Sequence, residues 1–316
     1  MTDLPEQPQP TVDAIYAARE REAAERPRYE SWGVSASALG HECDRKLWLD
    51  LRWVSASEVF EGRKLRIFER GDIEEQRVIE DLRRAGLEVQ ETDPATGRQF
   101  RFSFARGFIR GKTDGRCWGV LEAPKAEHVL EIKSMKAADW RAVKKHGLAK
   151  KKPEHWHQLH AGMVGLGVER GFYIAVNKDT EEILTERLHL DIEQGARQAT
   201  RVESLLEMHS PPLRIREDVG FPCSFCQHKA FCHEGGWARR TCRSCLHFSF
   251  SSDGAGHCSR FDEPRGPKVQ PDGCPAHLFL PALVPGEQVD ADPGAETVTY
   301  RMSDGSEWVD GGGVDG

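Results

Sequence analysis

The stretch from Gly111 to Lys133, GKTDGRCWGVLEAPKAEHVLEIK, constrains the chain more than any other. It reads as two strands joined by a short segment around 122–127. Asp114 stands at the head of the first strand, and Glu131-Ile132-Lys133 lies in the second. Side chains alternate faces along a strand, so Glu131 and Lys133 share one face and Ile132 takes the other. The expectation is Ile132 in the core, with the acid and the amine toward solvent. Pairing the two strands as a hairpin brings Asp114 toward Glu131. Two carboxylates and a lysine at one point make a site for a hard cation with a positive charge beside it. Gly111-Lys112-Thr113 ends like a phosphate-binding loop. The first glycine of that motif falls on Arg106, however, and a strand follows where a helix is required, so a nucleotide-binding loop is excluded.

The chain has 316 residues, 38% hydrophobic and 30% charged, enough for one large domain and a small one. No apolar run approaches the length of a membrane span, and the start, MTDLPEQPQP, lacks the basic flank and apolar run of a secretion signal. A cytoplasmic protein with no membrane partner is expected. In that compartment nine cysteines point to metal ligands rather than disulfides. Residues 281–316 carry eight carboxylates against Arg301, which accounts for the whole net charge of −7. The preceding residues are neutral overall but hold a basic strip: Lys133, Lys136, Arg141, Lys144, Lys145, Lys150, Lys151 and Lys152 against Asp139. Such a strip is either a solvated helix face or a surface for phosphates.

In chain order, residues 1–10 read as disordered, and Thr11 caps a helix that runs to about Glu25. A second helix is expected over 35–52, with Cys43 inside it. A third spans 59–86, with Phe68, Ile73, Val78, Ile79 and Leu82 as its apolar stripe and Gly86 as its cap. Strands follow at 87–91, 99–109, 112–120 and 127–134. Helices at 137–145 and 153–166 come next, then a strand pair at 172–176 and 183–190, and a helix over 192–208. The fold class is α/β, with a mixed central sheet flanked by helices.

Asp114 followed by Glu131-x-Lys133 resembles the PD-(D/E)XK nuclease superfamily. The likeness extends over about residues 35–235. Gly71 with Glu75 resembles the Gly-x-x-x-Glu of RecB-type and, more distantly, phage lambda-type exonucleases, with Glu74 a neighbour one step off that spacing. Gln158 resembles the first residue of the RecB-type Gln-x-x-x-Tyr motif, but the tyrosine position is Gly162. The resemblance implies a restriction-endonuclease-like core that hydrolyses DNA phosphodiesters exonucleolytically. Glu75, Asp114, Glu131 and the Ile132 carbonyl would hold Mg²⁺ or Mn²⁺. Lys133 would activate water, and Gln158 would contact substrate or water. His155, His157 and His160 stand as substitutes for the tyrosine or as plain surface histidines. The implied substrate is DNA, single-stranded or with single-stranded ends. Recombination or CRISPR-adaptation proteins are implied partners. A nucleic-acid-binding module with a weakened nuclease core is the other reading, favoured by the missing tyrosine.

Cys223, Cys226 and Cys232 form C-x2-C-x5-C, and Cys43 stands far upstream in CDRKLWL. This set resembles the ligands of the 4Fe–4S cluster in iron–sulfur RecB-type nucleases, both CRISPR-associated and AddB-like. Four thiolates also suit Zn²⁺, which stays open. Cys242, Cys245, Cys258 and Cys274 read as a separate structural Zn²⁺ site, with His247, His257 and His277 as stand-ins. Cys117 reads as a buried thiol. The expected division is an N-terminal tail and helix (1–30), a nuclease core (31–236), a cysteine-rich module (237–282) and an acidic tail with a hairpin (283–316).

Overall fold

The computed structural model describes residues 9–26 and 31–311. The expected disorder at the start therefore lies outside the described residues, apart from residues 9 and 10. Among the described residues no helix is long and apolar enough to cross a membrane. Three helices precede the main sheet: α1 Pro10–Glu25, α2 Asp44–Leu51 and α3 Gly62–Arg84. Pro10 opens α1 and Gln9 holds the N-cap position, so Thr11 lies inside the helix and is not the cap.

The main sheet has five strands: β1 Glu88–Gln90, β2 Gly115–Trp118, β3 His128–Met135, β4 Arg170–Asn177 and β5 Ile183–His189. They lie in the order β5-β4-β3-β2-β1. All neighbours are antiparallel except β3 and β4. A parallel pair needs a long crossover rather than a tight turn. Helices α4 Ala137–His146, α5 Leu148–Lys151 and α6 Pro153–Leu166 supply it. One face of the sheet, with Leu130, Ile132 and Ile174, packs on Val78 and Ile79 of α3. The other, with Val129, Tyr173 and Ala175, packs on Trp140 of α4 and on Leu159 and Met163 of α6. A helix over each face is why β3 and β4 are buried almost throughout. It also brings α3 and α6, the carriers of Glu75 and Gln158, to the strand of Glu131. Helix α7 Ile192–Glu207 closes this part of the chain.

Four expectations change. The segment 35–52 is not one helix: Ala36–Ala38 makes a single 3₁₀ turn, and Cys43 sits at the N-cap of α2, where its sulfur accepts the Lys46 N–H. The expected strand 99–109 breaks into a hairpin, Arg101–Phe104 with Ile109–Lys112, whose second arm takes Lys112 from the expected strand 112–120. Its turn places Ala105, Arg106 and Gly107 at φ of 51°, 55° and 81°, a left-handed run that no strand sustains. On α3, Val78 and Ile79 are buried, but Phe68 and Ile73 are exposed, because the sheet covers only the C-terminal half of that helix. The acidic tail is a three-stranded antiparallel sheet, Gly286–Asp292, Thr297–Met302 and Glu307–Gly311. The second and third of these strands are the expected hairpin, and the first adds a strand that the sequence reading did not include. Tyr300 in this sheet belongs to the same buried cluster as Leu47, Trp48, Phe108 and Phe248. One core therefore runs from α2 through the cysteine-rich region to the C-terminal strands.

Candidate active site

Strands β2 and β3 pair as the sequence expects, with Gly115 opposite Leu130. Asp114 is drawn into the ladder by its own N–H, which donates to the Leu130 carbonyl at 3.3 Å. Its Oδ2 accepts the Ile132 N–H at 2.7 Å. One carboxylate oxygen is thus tied to the strand that carries Glu131. The Lys133 ammonium donates to a Glu131 carboxylate oxygen and, at 3.2 Å, to the Ile132 carbonyl. The side chain of Glu131 and the main chain of Ile132 therefore already converge on one cation.

Glu131 does not meet solvent as expected; it is 1% exposed, because α6 covers its face of β3. Burial pushes its carboxyl well up, against the pull of Lys133, and Asp114 and Glu75 add to the rise. For Lys133, burial works against the charge, but the carboxylates of Glu131, Asp114 and Glu75 outweigh it and the net direction is up. Glu75 on α3 belongs to the same electrostatic group. Burial raises it to about 7, with Asp114 adding to the rise and Lys112 and Lys133 opposing it. Its neighbour Glu74 turns to Arg77, at 3.7 Å. Three acids and one lysine thus feel one another's charge in a partly dehydrated setting, and an added cation would relieve the repulsion of the acids. As the side chains stand, no three His, Cys, Asp or Glu among the described residues are gathered closely enough to hold an ion.

Gln158 lines a cleft of about 380 Å³ with Arg101, Arg110, Lys112, Ser35 and Ser37. The three bases come from one hairpin, whereas the sequence places Arg101 in a strand over 99–109, Lys112 at the head of the next strand and Arg110 between them, so their convergence was missed. Gly162, where the tyrosine is absent, lies flat on the sheet. A Cβ there would meet Thr113 Cγ2 at 3.1 Å and Val129 Cγ1 at 3.2 Å, which leaves no volume for a ring. The three histidines of α6 do not face this cleft as a group. His157 lies within hydrogen-bond distance of Gln194 and Gln198 on α7. His160 is buried with Nδ1 on the Trp156 carbonyl. His155 Nδ1 lies 2.8 Å from the Tyr173 hydroxyl. Burial, then Lys133 and Lys152, hold His155 down at about 3. Tyr173 stands opposite Glu131 in the β3–β4 register, and its hydroxyl is driven up by burial and by Glu131. Nothing in the sequence marks Tyr173, which lies in an apolar run.

Cys43, Cys223, Cys226 and Cys232 line one cavity, although 180 residues separate the first two. All are free thiols. The Lys46 N–H reaches Cys43 Sγ at 3.4 Å and Arg45 Nε reaches Cys232 Sγ at 3.3 Å. Cys242, Cys245, Cys258 and Cys274 line a second cavity. Cys117 is fully buried, which pushes its thiol up to about 12.

No family model matches the chain, and no curated protein resembles it in sequence. Among solved structures, SSO0001 aligns over 70% of this chain and 96% of its own, at 16% identity and a TM-score of 0.40. LHK-Exo in complex with dAMP aligns over 61% and 90%, at 17% identity and a TM-score of 0.39; LHK-Exo is an alkaline exonuclease from Laribacter hongkongensis. A phage-related exonuclease from Haemophilus somnus 129PT aligns over 55% and 91%, at 15% identity and a TM-score of 0.38. At such scores these likenesses carry no argument about this chain, and the functional reading rests on its own residues.

Proposed function

We propose that this chain is a metal-dependent deoxyribonuclease that removes nucleotides from DNA ends. One observation carries the reading. The Glu131 carboxylate and the Ile132 carbonyl already share a cation, the Lys133 ammonium, beside an Asp114 bonded to the same strand. The donors are all oxygen, which suits Mg²⁺ or Mn²⁺. Glu75, Asp114, Glu131 and the Ile132 carbonyl are the residues that would hold it. When bound, such an ion lowers the pKa of a coordinated water and offsets charge on a phosphate.

The remaining chemistry belongs to the chain. Lys133 keeps its proton at Nζ, since three carboxylates favour the ammonium. It therefore serves as a donor that orients water or a phosphate oxygen, not as a base. Arg101, Arg110 and Lys112 in the cleft bind the DNA backbone, and Gln158 at its edge contacts substrate. In this reading Cys43, Cys223, Cys226 and Cys232, which line one cavity, would hold a 4Fe–4S cluster that would tie the start of α2 to the 223–232 segment, four thiolates being the donor set such a cluster takes. The pathway is DNA processing in recombination or CRISPR adaptation, on DNA that is single-stranded or has single-stranded ends.

Gly162 favours a second reading, a nucleic-acid-binding module with a weakened core. End-labelled single- and double-stranded DNA incubated with Mg²⁺, Mn²⁺ or EDTA separates the two. The nuclease reading requires progressive shortening with either ion and none with EDTA. Tight binding with no cleavage under any ion would leave only the binding module.

A further inference from the structure

The Cys242–Ser244 turn is built to offer sulfur. Thr241 and Ser244 cap it reciprocally, and the Cys245 N–H returns to the Cys242 carbonyl at 3.0 Å. The Leu246 N–H reaches the Leu278 carbonyl at 2.7 Å and so closes the chain after Cys245 onto the segment that follows Cys274. Cys258 ends a short strand, and Cys274 follows Gly273, whose φ of 63° turns the chain back onto the same cavity. A histidine lines that cavity too. His277 is 1% exposed and lines the cavity, its Nε2 rests on Ser244 Oγ at 3.1 Å, and its Nδ1 has no hydrogen-bond partner among the described residues. Four free thiols that line one cavity are the donor set a tetrahedral soft ion takes, and a bound ion would draw together sulfurs that do not yet stand at ligand distance.

Between the first two cysteines stands Arg243, which is fully buried and points the other way, into the main core. Its guanidinium donates to the carbonyls of Leu51 at 2.9 Å and Trp32 at 3.1 Å. It lies 3.9 Å from the centre of the Trp53 ring. Trp53, with Ser31, Val34 and Ser35, lines a second cleft that shares Ser31 and Ser35 with the basic one. The turn thus faces a thiol pocket on one side and braces the 31–54 segment on the other.

We propose that Cys242, Cys245, Cys258 and Cys274 hold one structural Zn²⁺ whose loading keeps Arg243 seated in the core, so that the ion braces the 31–54 wall of the DNA cleft. Four protein ligands close such a site and leave none for catalysis.

The test uses the full chain and reads metal, not cleavage. Elemental analysis should find about one zinc per chain, retained in Cys43→Ser and lost in Cys258→Ser. Should Cys258→Ser fail to fold, wild-type protein stripped with a mercurial and a chelator, then refilled with Co²⁺, replaces it. Intense thiolate-to-cobalt charge-transfer absorption is then expected. Hydrogen exchange of the stripped protein should rise at least about tenfold across residues 31–54 and recover with Zn²⁺. Absent zinc, iron bound by these four thiols, or zinc that survives Cys258→Ser would overturn the site. Unchanged exchange over 31–54 after stripping would overturn the bracing role.

Discussion

Glu75 offers the sharpest test of the site, because its charge should cost stability whenever the metal is withheld. Its carboxyl is raised from 4.5 to about 7, first by burial and then by Asp114. The folded protein therefore holds a proton there that the unfolded chain has released. The favourable contribution is complete below about pH 4.5 and is lost as pH rises through about 7. The ceiling on the loss is roughly 3 kcal/mol at 1.36 kcal/mol per pK unit. Glu75 is partly reached by solvent, so about 1–2 kcal/mol is the realistic size. Glu75→Gln keeps the shape and removes the titration. In EDTA at pH 8 the variant should melt higher than wild type, by about 2–6 °C; at pH 5 the two should nearly coincide. Added Mg²⁺ should reverse the order at pH 8, since wild type gains a ligand that the variant lacks. Thermal melts followed by circular dichroism at both pH values decide it. Equal destabilisation of Glu75→Gln at pH 5 and pH 8, with no difference in response to Mg²⁺, would remove Glu75 from the acid group.

Asp114→Asn and Lys133→Ala should each cut DNA cleavage by about a hundredfold or more while leaving DNA binding intact. Asparagine is the better probe than alanine, because it keeps an acceptor for the buried Ile132 N–H; a Lys133→Ala protein that cleaves at the wild-type rate would refute the site. Replacing Lys150, Lys151 and Lys152 together should flatten the salt dependence of DNA binding by about one unit of slope per lost phosphate contact. Lys152 also lies 3.6 Å from Asp139 and 3.8 Å from Glu154, so Lys150 and Lys151 should carry most of the change. Anaerobically purified protein should be brown, with about four irons per chain. Cys43→Ser should lose that iron together with much of the roughly 5 kcal/mol that closing so long a loop supplies, whereas Cys117→Ser should do neither. Full iron retention in Cys43→Ser would sink the cluster assignment.

The central strands were legible because β4, buried on both faces, carries a long apolar run, and β3 sets Val129, Leu130 and Ile132 around Glu131 and Lys133 ahead of its helical crossover. The hairpin at 101–112 was not legible. Both of its arms alternate like strands, and the break rests on Ala105 and Arg106 at positive φ, which neither residue type announces. Cys43 was placed in a helix because the residues after it are helical. The cap is visible only when the Lys46 N–H is seen to point at sulfur. Burial of Glu131 was missed for a related reason. Period-two alternation shows which residues share a face, and it does not show that both faces are covered. The result is a carboxyl in a much drier setting than the sequence implied, which makes a bound cation more valuable to the fold.

The absent tyrosine shows where motif reasoning on a single helix runs out. Counting four residues from Gln158 lands on Gly162, and the sequence reads that as a lost function. In the structure Gly162 is where α6 touches the sheet, against Thr113 and Val129, so a large side chain would lift the helix away from β3. A phenol does stand in this part of the molecule, but it rises from the sheet to the helix. Tyr173, opposite Glu131, meets His155 one turn before Gln158. His155 is held neutral by its burial, so it can share one proton with the phenol without adding charge beside Lys133. The close approach allowed by glycine and the Tyr173–His155 contact therefore act in one direction. Both fix α6, and Gln158 with it, over the strand that carries Glu131 and Lys133.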